Sequence, residues 1–345
     1  MRIAQVAPLF ESVPPRFYGG TERIVSYLTE DLVRKGHEVT LYASADSETR
    51  ARLRPSSARS LRLDRECKDP LSHHIVMLER VAQEAAEFDV IHYHIDYLHF
   101  PTTRRTPQHH LTTLHGRLDL PDLVPLYREY REMPVISISD AQRRPLEWAN
   151  WQATVYHGLP RDLYPFTETP GDYFAFLGRI SPEKGCDRAI EIARRVGVPL
   201  KIAAKIGEAD QEYFDQAIRP LLREPGVEFL GEIAEHDKGA FLGGARALLF
   251  PIDWPEPFGL VMIESMACGT PVLAFPRGAV PEILEAGVTA HFGSTVDELV
   301  EAAGRLGELD RRICRETFER RFSDVRMSHD YERVYRRIME GAGRG

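Results

Sequence analysis

Short apolar runs alternate with amphipathic stretches along this chain, and they do so in two successive series. Residues 3–7, 38–43, 90–93, 110–114, 135–138 and 154–156 read as buried strands, with helical patterns at 22–35, 75–88 and 123–131 between several of them. A proline-punctuated stretch follows, carrying Pro160, Pro165 and Pro170. The alternation then restarts with strands at 174–177, 200–204, 227–230, 247–250 and 272–275 and helices at 186–196, 213–223, 261–268 and 295–306. Alternating strands and helices imply parallel sheets covered on both faces. Two series predict two doubly wound α/β domains, 1–160 and 161–324, facing each other. Ligands of such sheets bind beyond the carboxyl ends of the strands, so the expected site is the inter-domain cleft. A last amphipathic helix over about 325–339 lies in a tail, 325–345, that can pack back onto the first domain.

Bulk properties narrow the function. A chain of 345 residues can bury a core in each of two domains. Its net charge of −8 argues against a nucleic-acid partner. Cys67, Cys186, Cys268 and Cys314 are scattered, with no Cys-x-x-Cys pair, which fits reduced thiols. No segment reads as a signal peptide or is long enough to span a bilayer. The expectation is a soluble cytoplasmic protein that can still visit a membrane surface. The run Arg50, Arg52, Arg54, Arg59, Arg62 and Arg65 has few apolar anchors and reads as a solvated, mobile loop. Its competing reading is a contact for an acceptor or an anionic headgroup.

The stretch 256–264, Glu-Pro-Phe-Gly-Leu-Val-Met-Ile-Glu, carries the most chemistry. Residues 260–268 look like a buried helix, and a carboxylate inside one is costly without donors. Glu264 shares a helical face with Leu260, Val261, Ala267 and Cys268. Pro257 and Gly259 place the helix start near Phe258 or Gly259, so its first amide groups form an anion site beside Glu256. One carboxylate at the helix mouth and one inside suit a polyhydroxyl ligand beside a phosphate.

Other segments add cations and turns. Gly178-Arg179-Ile180-Ser181-Pro182-Glu183-Lys184-Gly185 ends a strand and places two cations five residues apart before a helix, which suits a diphosphate. The bland reading is a solvated loop in which Lys184 pairs with Glu183. Lys205, after another strand of this domain, can reach a nucleotide or remain on the surface. Tyr18-Gly19-Gly20-Thr21-Glu22 opens the first helix with a turn that lets backbone approach a ligand, or is a plain tight turn. His115 follows a strand, and His157-Gly158 ends the last strand of the first domain. Either imidazole can be a satisfied structural histidine. His92 and His94 alternate along a strand near Asp96, but no further ligand completes a metal site, so none is assigned. No nucleophile motif is present.

These residues resemble the retaining, nucleotide-sugar-dependent glycosyltransferases of family 4, which have the GT-B fold of two facing Rossmann-like doubly wound domains. The resemblance covers nearly the whole chain and is most specific in Glu256-x7-Glu264 followed by 266–272, Met-Ala-Cys-Gly-Thr-Pro-Val. It implies that Arg179 and Lys184 bind the donor diphosphate and stabilise the leaving group, with Gly178 at the strand end beside them. Glu264 would take the ribose hydroxyls and Glu256 those of the transferred sugar, with the amides of Phe258, Gly259 and Leu260 close by. His115 would lie against the sugar, and Gly19 and Gly20 would approach phosphate or acceptor. Glu22 and His157 fall on the acceptor side. The partners implied are a nucleoside diphosphate sugar, of UDP-glucose or GDP-mannose type, and a sugar or lipid-linked acceptor. No cofactor and no metal is needed, because Arg, Lys and helix amides neutralise the diphosphate. Front-face attack, with the departing phosphate taking the acceptor proton, accounts for the missing nucleophile.

The sequence departs from the pattern at His157, where many relatives carry asparagine, and at Lys205, where many have a small residue. Alternatives on the same fold are a sugar-nucleotide epimerase or an α-glucan phosphorylase. From another class comes a non-catalytic nucleotide-sugar-binding protein. The phosphorylase needs a pyridoxal phosphate lysine and a longer chain. An inactive sensor would be expected to lose Glu256, Arg179 or Lys184.

Overall fold

The computed structural model describes residues 1–16 and 19–341; Tyr18 of the glycine turn and residues 342–345 of the tail lie outside them. The chain forms two compact units, Leu159–Ser323 and Met1–Gly158 together with the segment from Asp324 onward.

The sheet of the first unit contains β1 (Arg2–Val6), β2 (Glu38–Ser44), β3 (Arg52–Ser57), β4 (Val90–Tyr93), β5 (His110–Thr113), β6 (Val135–Ser137) and β7 (Trp151–Thr154), in the order β3-β2-β1-β4-β5-β6-β7. Every pairing is parallel. The second unit contains β8 (Tyr173–Ile180), β9 (Leu200–Ile206), β10 (Val227–Gly231), β11 (Ala245–Phe250), β12 (Val272–Ala274) and β13 (Ala290–Phe292), in the order β10-β9-β8-β11-β12-β13, again parallel. Strand order reverses between β1 and β4 in one unit and between β8 and β11 in the other. At such a switch point the connections leave in opposite directions and open a crevice at the strands' carboxyl ends.

Several boundaries differ from the sequence reading, each for a local reason. The arginine-rich stretch is not a mobile loop throughout, because 52–57 adds the edge strand β3. Its Arg54 reaches the Glu84 carboxylate at 3.2 Å, and Arg62 reaches Glu11 at 2.8 Å. Charged residues on an edge strand keep its open side solvated, which hides it from an apolar-run search. The helix expected at 75–88 is Pro70–Glu84. Asp69 caps it by accepting from the amides of Leu71 (3.0 Å) and Ser72 (3.3 Å), and Pro70 occupies the first turn, where no donor is needed. The helix expected at 213–223 is broken into short turns around Pro220, whose ring removes an amide from the ladder. The strand expected at 154–156 is β7, three residues earlier, and the short β13 was not anticipated.

The terminal helix, Asp324–Gly341, lies in the first unit against the helix Gly20–Arg34 and the residues following it. Lys35 Nζ lies 2.6 Å from Ser328 Oγ and 3.1 Å from the Glu332 carboxylate, and His37 Nε2 lies 2.7 Å from the same carboxylate. Tyr331 and Tyr335 are fully buried by this packing.

Candidate active site

In the second unit the candidate side chains gather where β8 and β11 end. Arg179 is the penultimate residue of β8 and lies beside Lys205 of β9 in the ladder register. Its guanidinium is held by Glu183 at 2.9 Å and by Asp210 at 3.4 Å, with 42% of the side chain exposed. An added Cβ on Gly178 would meet nothing within 4 Å, so the strand end faces open space.

Lys184 does not pair with its neighbour Glu183. Its Nζ lies 2.5 Å from Oε2 of Glu256 and 4.6 Å from the ring centre of Trp254. The Trp254 indole N–H donates to the same Oε2 at 2.8 Å, whereas Oε1 of Glu256 has no hydrogen-bond donor. One oxygen of Glu256 is thus spent on positioning and the other left for a ligand. Two glycines make this geometry sterically attainable. Gly185 has φ +72°, and a Cβ there would collide with the Pro251 carbonyl at the end of β11. Gly278 has φ +56° and sits so close to the Glu256 backbone that a Cβ would strike its N and O.

The helix Leu260–Ala267 starts one or two residues later than the sequence suggests. Gly259 adopts φ +82° as its N-cap, and no side chain caps this end. Phe258 is buried edge-on against Phe322, 6.2 Å between centroids, which anchors the turn. The uncapped amides and the helix dipole favour an anion there. Inside the helix Glu264 is buried, as its spacing predicts. Its Oε1 lies 2.9 Å from Lys238 Nζ and 3.5 Å from the Tyr164 hydroxyl, which itself donates to Glu235. Lys238 also reaches Glu235 at 3.0 Å.

In the first unit His115 follows β5. Gln142 fixes the turn by donating to the carbonyls of Leu114 (2.9 Å) and Gly116 (2.7 Å). The His115 ring stacks on His157, 5.2 Å between centroids and 15° between planes, and its Nε2 lies 2.9 Å from Nδ1 of His94. Burial pushes His115 down to about 3 and holds His92, His94 and His157 well below the ordinary imidazole range, so all four are neutral near pH 7. Both ring nitrogens of His92 and of His94 are committed to hydrogen bonds within the unit. Among the described residues no group of three or more His, Cys, Asp or Glu side chains is arranged to hold a metal ion.

Gly19 is buried with extended backbone, and an added Cβ would press on Pro15 and on Glu11 Cγ. Gly20 begins the first helix, and Glu22 is buried within its first turn. Desolvation, aided by the neighbouring Glu11 charge, raises the Glu22 carboxyl. This turn therefore presents carboxylates beside the helix N-terminus, a chemistry better suited to hydroxyls than to phosphate.

Two family profiles match, one to each half of the chain. The profile described as Glycosyltransferase Family 4 covers residues 18–177, and the one described as Glycosyl transferases group 1 covers 166–316. The chain belongs to glycosyltransferase family 4. Several curated relatives match over part of their length only, the chain spanning 33% to 46% of them; one is a probable sucrose-phosphate synthase of Thermosipho melanesiensis, 26% identical over 48% of this chain and 40% of that protein. A phosphatidyl-myo-inositol mannosyltransferase of Mycolicibacterium smegmatis is 26% identical over 98% of this chain and 92% of its own length. Among solved structures, AviGT4, a glycosyltransferase involved in avilamycin A biosynthesis, superposes with TM-score 0.76 at 24% identity, covering 99% of this chain and 98% of that one. The Anabaena protein HepE, solved with UDP and glucose, gives 0.76 at 18%, covering 97% and 99%. Two parallel-sheet α/β units with these neighbours make the fold GT-B.

Within the family framework the second unit brings Arg179, Lys184, Glu256 and the start of the 260–267 helix to one end of its sheet. Sequence reasoning missed the residues that hold them. Trp254 had a signal, two residues before Glu256, whereas Asp210, Lys238 and Tyr164 had none. A lone lysine on a polar helix such as Glu235–Gly243 reads as a solvated side chain.

Proposed function

We propose that this chain transfers a hexose, with retention, from a nucleoside diphosphate sugar to a sugar or lipid-linked acceptor. The observation that carries the reading is the Lys184–Glu256 pair at the mouth of an uncapped helix. A cation that neutralises phosphate and a carboxylate with one free oxygen for sugar hydroxyls sit side by side there. The solved relative HepE binds UDP and UDP-glucose, which supports UDP-glucose as a first donor to test, with GDP-mannose as the second.

In this scheme Arg179, Lys184 and the amides of the 260–267 helix hold the diphosphate. The C1–O bond to the phosphate breaks as a C1–O bond to the acceptor forms on the same face, and the acceptor proton passes to the departing phosphate oxygen. Charge accumulates on the diphosphate, and preorganised donors stabilise it there. Arg179 gives up only half-exposed ion pairs to bind it, and such pairs are weak. Glu264 takes the ribose hydroxyls and Glu256 the sugar. The first unit serves the sugar and acceptor through His115, with Glu22 beside the Gly19–Gly20 turn. Neutralisation by Arg, Lys and amides makes the reaction metal-independent.

A thermal-shift screen of nucleoside diphosphates and their sugars, followed by donor hydrolysis, tests this. A bound nucleotide sugar raises the transition by mass action. A protein that no nucleoside diphosphate or its sugar stabilises, and that hydrolyses no donor, contradicts the proposal.

A further inference from the structure

Strand β1 of the first unit carries a buried glutamine, Gln5, between the apolar Ala4 and Val6. Its Nε2 donates to the Tyr335 hydroxyl at 3.1 Å, and its Oε1 lies 2.8 Å from His94 Nε2. The row continues from His94 Nδ1 to His115 Nε2 at 2.9 Å. On its other side the Tyr335 hydroxyl lies 2.8 Å from His92 Nδ1, His92 Nε2 lies 2.7 Å from Thr113 Oγ1, and that hydroxyl lies 2.9 Å from Tyr331.

A row of neutral donor–acceptor groups has two self-consistent proton directions, and the orientation of an amide in the row sets which one is taken, because its nitrogen only donates and its oxygen only accepts. With Gln5 Oε1 facing His94, the His94 proton is on Nε2 and its Nδ1 accepts. His115 must then donate from Nε2, which leaves Nδ1 as a bare lone pair. That atom is shielded from water and has no hydrogen-bond partner. An unpaired buried acceptor is destabilising, a cost that a ligand hydroxyl would remove.

We infer that Gln5, held by Tyr335, is a positioning residue: through His94 it fixes His115 in the Nε2–H tautomer, so that Nδ1 accepts from a hydroxyl of a bound sugar or polyol. The hydroxyl-bearing ligand rests on the transferase reading; the tautomer does not.

Long-range proton–nitrogen NMR on protein with 15N-labelled histidine, assigned with His115→Gln, reads the tautomer without substrate. Pyridine-type Nδ1 and pyrrole-type Nε2 are expected for His115. A pyrrole-type Nδ1 overturns the inference. Tyr335→Phe keeps the ring but frees the Gln5 amide, and Gln5→Met removes the amide. Both are expected to move the two His115 shifts toward an average, although residue 335 does not touch His115. Unmoved shifts in Tyr335→Phe overturn the positioning role, whether or not Gln5→Met folds. With UDP-glucose and GDP-mannose as probes, donor hydrolysis in Tyr335→Phe is expected to lose about tenfold in kcat/KM at unchanged UDP and GDP affinity. A shifted tautomer with unchanged kcat/KM overturns the ligand half of the inference. A native protein that shows the expected tautomer but turns over no donor counts against the transferase reading instead.

Discussion

Lys238 Nζ lies 2.9 Å from Oε1 of Glu264, and this contact explains how the 260–267 helix tolerates a buried carboxylate. The lysine is shared with Glu235, so the two glutamates divide one cation between them. Removing the lysine therefore takes the cation from two carboxylates, of which Glu235 keeps the Tyr164 hydroxyl, whereas removing Glu264 leaves the lysine beside Glu235.

Lys238→Met is accordingly expected to destabilise the second unit by about 1–3 kcal/mol, the cost of leaving a buried carboxylate short of a donor. Glu264→Gln is expected to cost less, and the double variant to recover part of the loss. Denaturant unfolding of the three proteins checks the order. Equal costs for the two single variants would contradict the shared-cation account.

Arg179→Ala and Lys184→Ala separate binding chemistry from folding. Arg179 is partly exposed, so its loss is expected to change stability by no more than about 0.5 kcal/mol. Donor turnover is expected to fall by roughly a hundredfold or more in either variant, the effect of removing one preorganised donor from a developing anion. Unchanged hydrolysis in both would remove them from the leaving-group role.

Gly278→Ala tests the scaffold under Glu256. A side chain at φ +56° costs about 1–2 kcal/mol, and its Cβ must displace the Glu256 backbone. Displacement of a positioned group by an ångström lowers turnover on the order of a hundredfold. Gly36→Ala supplies the comparison, since its φ is +85° but its Cβ would meet nothing. Strain alone predicts equal losses in the two variants, whereas displacement predicts that only Gly278→Ala loses turnover.

Four neutral histidines give the first unit an acid-sensitive core. The unfolded chain binds protons near the ordinary value of 6.5, while folded His115 resists protonation down to about 3, with His92, His94 and His157 depressed in the same direction. Between those limits the unfolded state holds more protons, so stability falls with falling pH, by about 1.4 kcal/mol per unit for each histidine. Above 6.5 these groups contribute no slope. Tryptophan fluorescence of a Trp254→Phe variant, which leaves Trp148 and Trp151 in the first unit, follows this unfolding. A midpoint independent of pH between 4 and 6.5 would contradict it.

The carboxylate pair shows how far the linear chain reaches. Its spacing, the glycine before the helix and the Arg-x4-Lys loop after a strand mark the candidate site without any coordinates, because helix period and turn chemistry are local. The motif segment 268–271 is a different matter. Gly269 at φ +82° packs against Phe166, and Thr270 Oγ1 donates to the Leu242 carbonyl at 2.8 Å and accepts from buried Arg311 at the same distance, so much of what marks the family there is scaffolding. The edge strand β3 stayed hidden because its charges carry no apolar period.

By itself, then, the sequence determined two parallel α/β layouts, the family, and the residue types proposed to meet the ligand. Only the tertiary structure decided their partners. Lys184 joins Glu256 across 72 positions, Lys238 joins Glu264 across 26, and His94 joins Gln5 across 89. Local propensity fixes period and caps within a few residues, but such pairings depend on which strands become neighbours at the switch points. Strand order is a property of the folded sheet, and no short window of sequence contains it.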